Sequence, residues 1–461
     1  MDEPEAAAGA MQQPARLPRA GIVRWRACSL LTYVLLLLIA GMFLYRGPLR
    51  AIQSSAEFND FLAPYIQTRA WIRGADPYSP QSLLEFWPPA NPAPNWLRHE
   101  VANGTLLIQR GIPTAYLPSS FPVLLPIALL PWPAAYVLWT VLSVILFGIM
   151  VASLTSLSGM SGNRRSFFVA GALALAPFHT GIATGNPAVL ATELAVISLW
   201  MAHAEYAAAA GIMIALSCCL KPQIGLCFAL LYLLQKRKRL VGTVITLGGT
   251  LTLLSVAWMM LSPGTWWQSY RQDNHALFAT GVLSDFGPRN PTRYGLINLQ
   301  VLLDPILKTR SATNAAALSI SAILFVTWLS FVLRHKRGQP DLLAVSGLVV
   351  LTLLPIYHRF YDAGLLILPF CWVMARYEAI LPRRRMVALC LLIPFLLPGG
   401  SLLEVLQARG KVPAYVAGGW WWNSLVMPHA TWSLLALSLL LLSEFRTGRV
   451  ASPNLLRAGG G

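Results

Sequence analysis

Residues 211–240 read GIMIALSCCLKPQIGLCFALLYLLQKRKRL. Two apolar runs, 211–220 and 222–235, flank Lys221-Pro222 and end on Lys236-Arg237-Lys238-Arg239. A helix that crosses a bilayer needs about 20 mostly apolar residues. A basic run directly after such a stretch is what the positive-inside rule places at a cytoplasmic loop. This segment therefore reads as membrane-embedded, with a lysine in its interior and its basic end inside the cell.

The rest of the chain repeats the pattern. Of its 461 residues, 56% are hydrophobic and only 11% charged, against about 25% charged in an ordinary soluble protein. The mean hydropathy is +0.57. The net charge is +17, and basic residues cluster in short runs between apolar segments, at Arg164-Arg165, Lys236–Arg239, Arg334–Arg337 and Arg383–Arg385. A nucleic-acid binder needs a continuous basic face, so that partner class is excluded. The six cysteines lie in apolar stretches with no C-x-x-C pair, which argues against structural disulfides and a zinc site.

Spans are predicted near 28–45, 133–155, 166–180, 187–203, 206–220, 222–235, 241–261, 312–333, 341–357, 363–377, 386–399 and 427–443. Residues 117–131 are apolar but short, and Pro118, Pro122, Pro126 and Pro131 break the helical ladder. A half-inserted hairpin there keeps every basic run on one side and gives about twelve crossings. The expected organisation is a disordered cytoplasmic segment 1–26, a transmembrane domain 27–443 and a cytoplasmic tail 444–461. Its outer loops are 46–116, 262–311 and 400–426. The fold class is an all-α polytopic membrane protein of the plasma (inner) membrane. In 57–73, Phe58, Phe61, Leu62, Tyr65, Ile66 and Trp71 recur near a helical period, which predicts an amphipathic helix lying in the interface.

Eighteen acids serve the whole chain, so each one near the membrane is informative. Glu57 and Asp60 share one helix face, as general base or as ordinary solvated acids. Asp76, in Gly74-Ala75-Asp76-Pro77-Tyr78, reads most simply as a turn cap. Lys221 is costly at its depth unless paired or facing a polar cavity; a cation there suits a phosphate, and a snorkelling anchor is the plain alternative. His358, Arg359 and Asp362 can bind an anion and orient a hydroxyl, or form a polar interhelical turn. Glu193 reads as a buried structural carboxylate. In the second outer loop, Arg271, Asp273, Asn274, His275, Arg289, Asn290 and Arg293 accompany Trp266, Trp267 and Tyr270, a set that suits sugars and also an interfacial aromatic belt. By the predicted topology Asp60, Lys221, His358, Arg359 and this loop all meet one non-cytoplasmic face.

The chain resembles the GT-C glycosyltransferases, and within them glycosyltransferase family 87, the polyprenyl-phosphate-mannose-dependent α-mannosyltransferases. The resembling stretches are Asp60-Phe61 with Tyr65; Gly74–Tyr78; Tyr116-Leu117-Pro118 through Leu130-Pro131-Trp132-Pro133; and Gly185-Asn186-Pro187. They continue with Gly211 through Lys221-Pro222 and Leu231–Leu234, and Pro355 through Asp362 with Leu368-Pro369. Together they cover roughly residues 30–375. Position 186 departs from the family's usual Gln, and the carboxyl-terminal quarter, Gly418–Trp422 included, lies outside the resemblance.

The resemblance implies a GT-C-type helical bundle and a polyprenyl-phosphate hexose donor, with mannose as the hexose. It implies transfer to a lipid or glycan acceptor with inversion. Asp60 would be the base, with Lys221, His358 and Arg359 on the donor phosphate. Glu57, Tyr65, Asp76, Tyr78, Asn186, His275 and Asp362 would line the substrates, with membrane lipids as surroundings. No cofactor and no metal is called for, because a phosphate leaves and basic side chains are at hand. Two other classes fit a dozen spans: a lipid or solute transporter (or flippase), and a non-catalytic assembly partner of the cell envelope. Transporters show internal repeats and midplane charge, and neither is evident here.

Overall fold

The computed structural model describes residues 33–53, 60–261, 264–334 and 341–446. The terminal segments 1–26 and 447–461 and the acid Glu57 lie outside them. The described residues are helical, with one isolated antiparallel bridge between Leu296 and Arg359.

Among the described residues, four helices are long and apolar enough to cross a membrane: α1 (Tyr33–Gln53), α4 (Trp132–Ser158), α10 (Lys238–Met260) and α13 (Arg310–Arg334). Two bent pairs reach that length together: α5 (Gly162–Ala174) with α6 (Ala176–Thr184), and the segment Pro382–Phe395, which holds α16 (Pro382–Leu392), with α17 (Gly399–Ala408). Shorter apolar helices fill the interior: α7 (Pro187–His203), α8 (Ala207–Leu220), α9 (Pro222–Leu234), α14 (Leu342–Thr352) and α15 (Ile367–Ala375), which follows the 3₁₀ turn Phe360–Leu366. The last helix is α18 (His429–Arg446). The remaining labels are α2 (Leu62–Ile72), α3 (Ser120–Ala128), α11 (Trp266–Leu277) and α12 (Leu299–Leu307).

Burial separates two kinds of helix. A helix apolar all round belongs inside other protein, and α7 is buried over its whole run from Pro187 to Leu199. It packs against α4 and α8, while α14 packs on α15 and α18. By contrast α10 and α13 expose Ile245, Leu253, Ile323 and Val326, side chains that lipid would cover. Boundaries follow local chemistry. Proline opens α7 and α9 at the first helical position, where its missing N–H costs nothing. Gly159 and Gly185 end α4 and α6 in the left-handed conformation.

Two expectations meet the coordinates differently. Residues 117–131 contain only the nine-residue α3, about 14 Å long at 1.5 Å per residue, well short of a bilayer core. The helix expected to lie in the interface over 57–73 is instead α2, enclosed by protein. Leu62 to Thr68 and Ala70 are all buried, polar Gln67 and Thr68 included. Its polar donors are taken up by the chain: Gln67 Nε2 donates to the Thr114 carbonyl at 2.6 Å and Thr68 Oγ1 to that of Pro64 at 2.7 Å. An apolar stripe with few charges fits a protein groove as well as a membrane surface, and here α3 covers it.

Candidate active site

Asp60 stands two residues before α2, and its neighbour fixes it. Phe61 is fully buried and stacks on Trp139 at 4.3 Å and on Trp132 at 5.9 Å. The Asp60 amide donates to the Thr184 carbonyl at 2.8 Å, tying it to the end of α6. The next turn completes the mount. Asn186 caps α7 by accepting from the Ala188 amide at 2.9 Å, and its Nδ2 donates to Asp60 Oδ2 at 2.8 Å. Asp60 Oδ1 accepts no hydrogen bond among the described residues. Gly185 makes this approach possible: its φ is +67°, and a Cβ there would lie 2.9 Å from Phe61 Cβ and 3.1 Å from Tyr136. Trp139 Nε1 holds the Gly185 carbonyl at 3.0 Å.

The cationic side is organised by one carboxylate. Asp362 is fully buried; its Oδ1 accepts from Lys221 Nζ at 2.5 Å, and its Oδ2 from His358 Nδ1 and the Arg359 amide, both at 3.0 Å. Lys221 occupies the extended break between α8 and α9, where Pro222 prevents a continuous helix, and its ammonium lies 5.0 Å over the Tyr361 ring. The Arg359 guanidinium donates to the Leu283 carbonyl at 3.1 Å and to Thr292 Oγ1 at 3.2 Å, so the second loop aims it. That loop is pinned beside it by the Leu296–Arg359 bridge and by the Ile297 amide on the His358 carbonyl at 3.1 Å. His358 Nε2 and Arg359 Nε are buried without a hydrogen-bond partner among the described residues, which leaves them for a ligand.

The two halves meet. Asp60 interacts electrostatically with Arg359, Tyr357, Tyr361 and Tyr116. Gly181 allows the closeness: Tyr361 Cβ would sit 3.3 Å from a Cβ placed on it. Burial first, and then the Asp60 charge, raise the Tyr116 hydroxyl well above the usual phenol range. Tyr116 stays neutral and directs its hydroxyl toward the Asp60 carbonyl at 3.4 Å.

Asp60, Asn186, Lys221, His358, Arg359 and Asp362 are thus brought together. Asp362 is withdrawn from solvent and works through its three partners. Asp76 and Tyr78 support the wall from further out. Asp76 accepts from the Tyr78 amide at 2.9 Å and from Ser269 at 2.7 Å, and the Tyr78 hydroxyl donates to the Tyr116 carbonyl at 2.8 Å. Tyr65 is buried, its hydroxyl on the Leu130 carbonyl at 2.9 Å. His275 is exposed on α11 and lines a cavity of about 530 Å³ with Gln109, Gln268, Arg271 and Gln272, none of them from the Asp60 cluster. Beside Asp76, Asp273 is buried, and burial, with the Asp76 charge adding, pushes its carboxyl up to about 7. Thr184, Leu283 and Thr292 escaped the sequence reading because backbone carbonyls and a lone loop hydroxyl carry no local signal.

The family model described as Glycosyltransferase family 87 matches residues 114–369, more than half the chain. The chain belongs to glycosyltransferase family 87. No curated protein matches it. The protein is accordingly a membrane glycosyltransferase, acting on a sugar donor and an acceptor. The match takes in Asn186, Lys221, His358, Arg359 and Asp362 but begins after Asp60, so Asp60 stands on its geometry alone.

Proposed function

We propose that this family 87 protein transfers a hexose, mannose by the resemblance, from a polyprenyl-phosphate donor to a hydroxyl of a lipid or glycan acceptor. The site would face the non-cytoplasmic side of the plasma membrane. Asp60 takes the proton of the acceptor hydroxyl as its oxygen attacks the anomeric carbon. The bond from that carbon to the phosphate oxygen breaks on the opposite face, so the configuration inverts, and the lipid phosphate departs with the bonding electrons. Arg359 and Lys221 are the cations that receive the growing phosphate charge, and His358 Nε2 is the third group offered to it. Holding hydroxyl, anomeric carbon and phosphate in line supplies the rest of the rate enhancement.

The observation that carries this reading is a carboxylate mounted by Asn186 within electrostatic range of Arg359, whose neighbour His358 has a buried Nε2 with no hydrogen-bond partner among the described residues. Such a pairing serves a reaction that releases a proton at one end and negative charge at the other. The test uses purified protein with radiolabelled polyprenyl-phosphate mannose and a membrane-lipid extract. Wild type should form labelled product, and Asp60→Asn should lose roughly 10²–10⁴-fold in rate while remaining folded. Full activity in Asp60→Asn would remove it as the base, and product from another donor sugar alone would remove mannose.

A further inference from the structure

The second outer loop, inside the family match, and the carboxyl-terminal quarter, beyond it, line a cavity of about 360 Å³, within the range of small-ligand pockets. Its lining includes Asn290, Arg293, Tyr294, Glu404, Gln407 and Asn423. The charges there are already answered. Arg293 lies 3.7 Å from Asp304 and donates to the Tyr294 hydroxyl at 2.6 Å, and Glu404 Oε1 accepts from the Tyr294 amide at 2.8 Å. An anion would find little uncompensated positive charge. Gln407 Oε1 accepts from Trp422 Nε1 at 3.3 Å, which fixes its amide. Gln407 Nε2 and Glu404 Oε2 make no hydrogen bond among the described residues, leaving a neutral donor and an acceptor on the cavity wall. A sugar hydroxyl both donates and accepts, which suits such a pair.

The cavity joins the candidate active site through one stretch of chain. Thr292 Oγ1, which receives the Arg359 guanidinium, donates to Asn290 Oδ1 at 3.0 Å, and Leu296 bridges to Arg359 two residues after Tyr294.

We propose that this cavity is a saccharide subsite holding a neutral sugar unit of the acceptor, removed from the hydroxyl that reacts, and that it selects acceptors already carrying a glycan. The proposal rests on the glycosyl-transfer reading above. Ala408 lines the cavity and is exposed, so Ala408→Trp fills the space without breaking a hydrogen bond; Gln407→Ala removes the free donor and serves if the first variant does not fold. The probe is mannotriose, titrated by calorimetry into the full-length protein in detergent. Saturable binding to wild type that Ala408→Trp abolishes, or that Gln407→Ala weakens about tenfold, supports the subsite. No saturable binding, or binding that folded Ala408→Trp retains, overturns it. A second readout compares glycolipid acceptors bearing one and three sugars. The ratio of kcat/KM, three over one, should fall about tenfold in Ala408→Trp, and an unchanged ratio overturns the proposal. Wild type that binds mannotriose but transfers nothing from polyprenyl-phosphate mannose would keep the subsite and sink the donor assignment instead.

Discussion

At the residue scale, Asn186 does two jobs with one amide: its oxygen caps α7 and its nitrogen holds Asp60. Asn186→Ala should therefore cost about 1 kcal/mol of stability through the cap. It should cost more in rate, because a hydrogen bond to a charged group contributes about 1.5–3 kcal/mol, or roughly ten- to a hundredfold. Asn186→Asp keeps a capping oxygen but sets a second carboxylate beside the first, and should be slower than the alanine variant. Parallel melting curves and rates check this; equal rates in all three proteins would dissociate Asn186 from Asp60. Asp273 gives a pH prediction. Its folded pKa, near 7, exceeds the unfolded value of about 3.9. The folded state thus holds an extra proton between those values. The stability this contributes is fully present below about pH 4 and is lost as pH rises through 7. Asp273→Asn does not titrate, so its Tm minus that of wild type should climb from about pH 4 to 7 and then level. A flat difference would mean the carboxyl is solvated.

At the element scale, the site is built from breaks in helices. Lys221 interrupts α8–α9, Gly185-Asn186 interrupts α6–α7, and the His358 turn precedes α15. These breaks were legible: Lys-Pro, Gly-Asn-Pro and a cluster of charges stand out in apolar text. What each break holds was not legible. Asp362 read as a substrate ligand because a carboxylate in a polar turn looks available, yet three donors converge on it. The burial of α2 was hidden for a similar reason, since its partners come from α3 and Thr114, dozens of residues away. The ion pair yields an asymmetric prediction. Removing one member of a buried pair costs about 3–5 kcal/mol. Asp362→Ala strands Lys221 and also frees His358 Nδ1 and the Arg359 amide, whereas Lys221→Met leaves Asp362 with two donors. Asp362→Ala should melt at the lower temperature, and the reverse order would show that Lys221 is the keystone of the cluster.

For the whole molecule, lipid tails are as apolar as leucine, so burial from water does not hold the bundle together; close packing and polar contacts between helices do. The carboxyl-terminal quarter supplies both. Leu434, Leu437 and Leu441 of α18 are fully buried, with α14 among the helices they face, and Arg384 bonds Glu444 at 2.6 Å. A chain ended at Leu381 retains every residue of the family match and loses this buttress. It should elute from size exclusion as aggregate, with no monodisperse peak, and a folded, active truncation would show that the buttress is dispensable. That the chain folds into apolar helices, several of them long enough to cross a membrane, could be read from its apolar runs, because a bilayer imposes a length rule on the chain itself. The cavity behind Tyr294 could not, since its walls are more than a hundred residues apart in sequence and only the fold adds them up.

The buried carboxylate at 362 bears also on turnover. A cluster of bare cations would bind the departed lipid phosphate tightly and clog. Here one negative charge accompanies Lys221 and His358, so the phosphate meets a partly cancelled field. On the proposed reaction this tempers product inhibition: the site attracts the charge strongly enough to ease departure, and weakly enough for the spent carrier to drift back into the membrane.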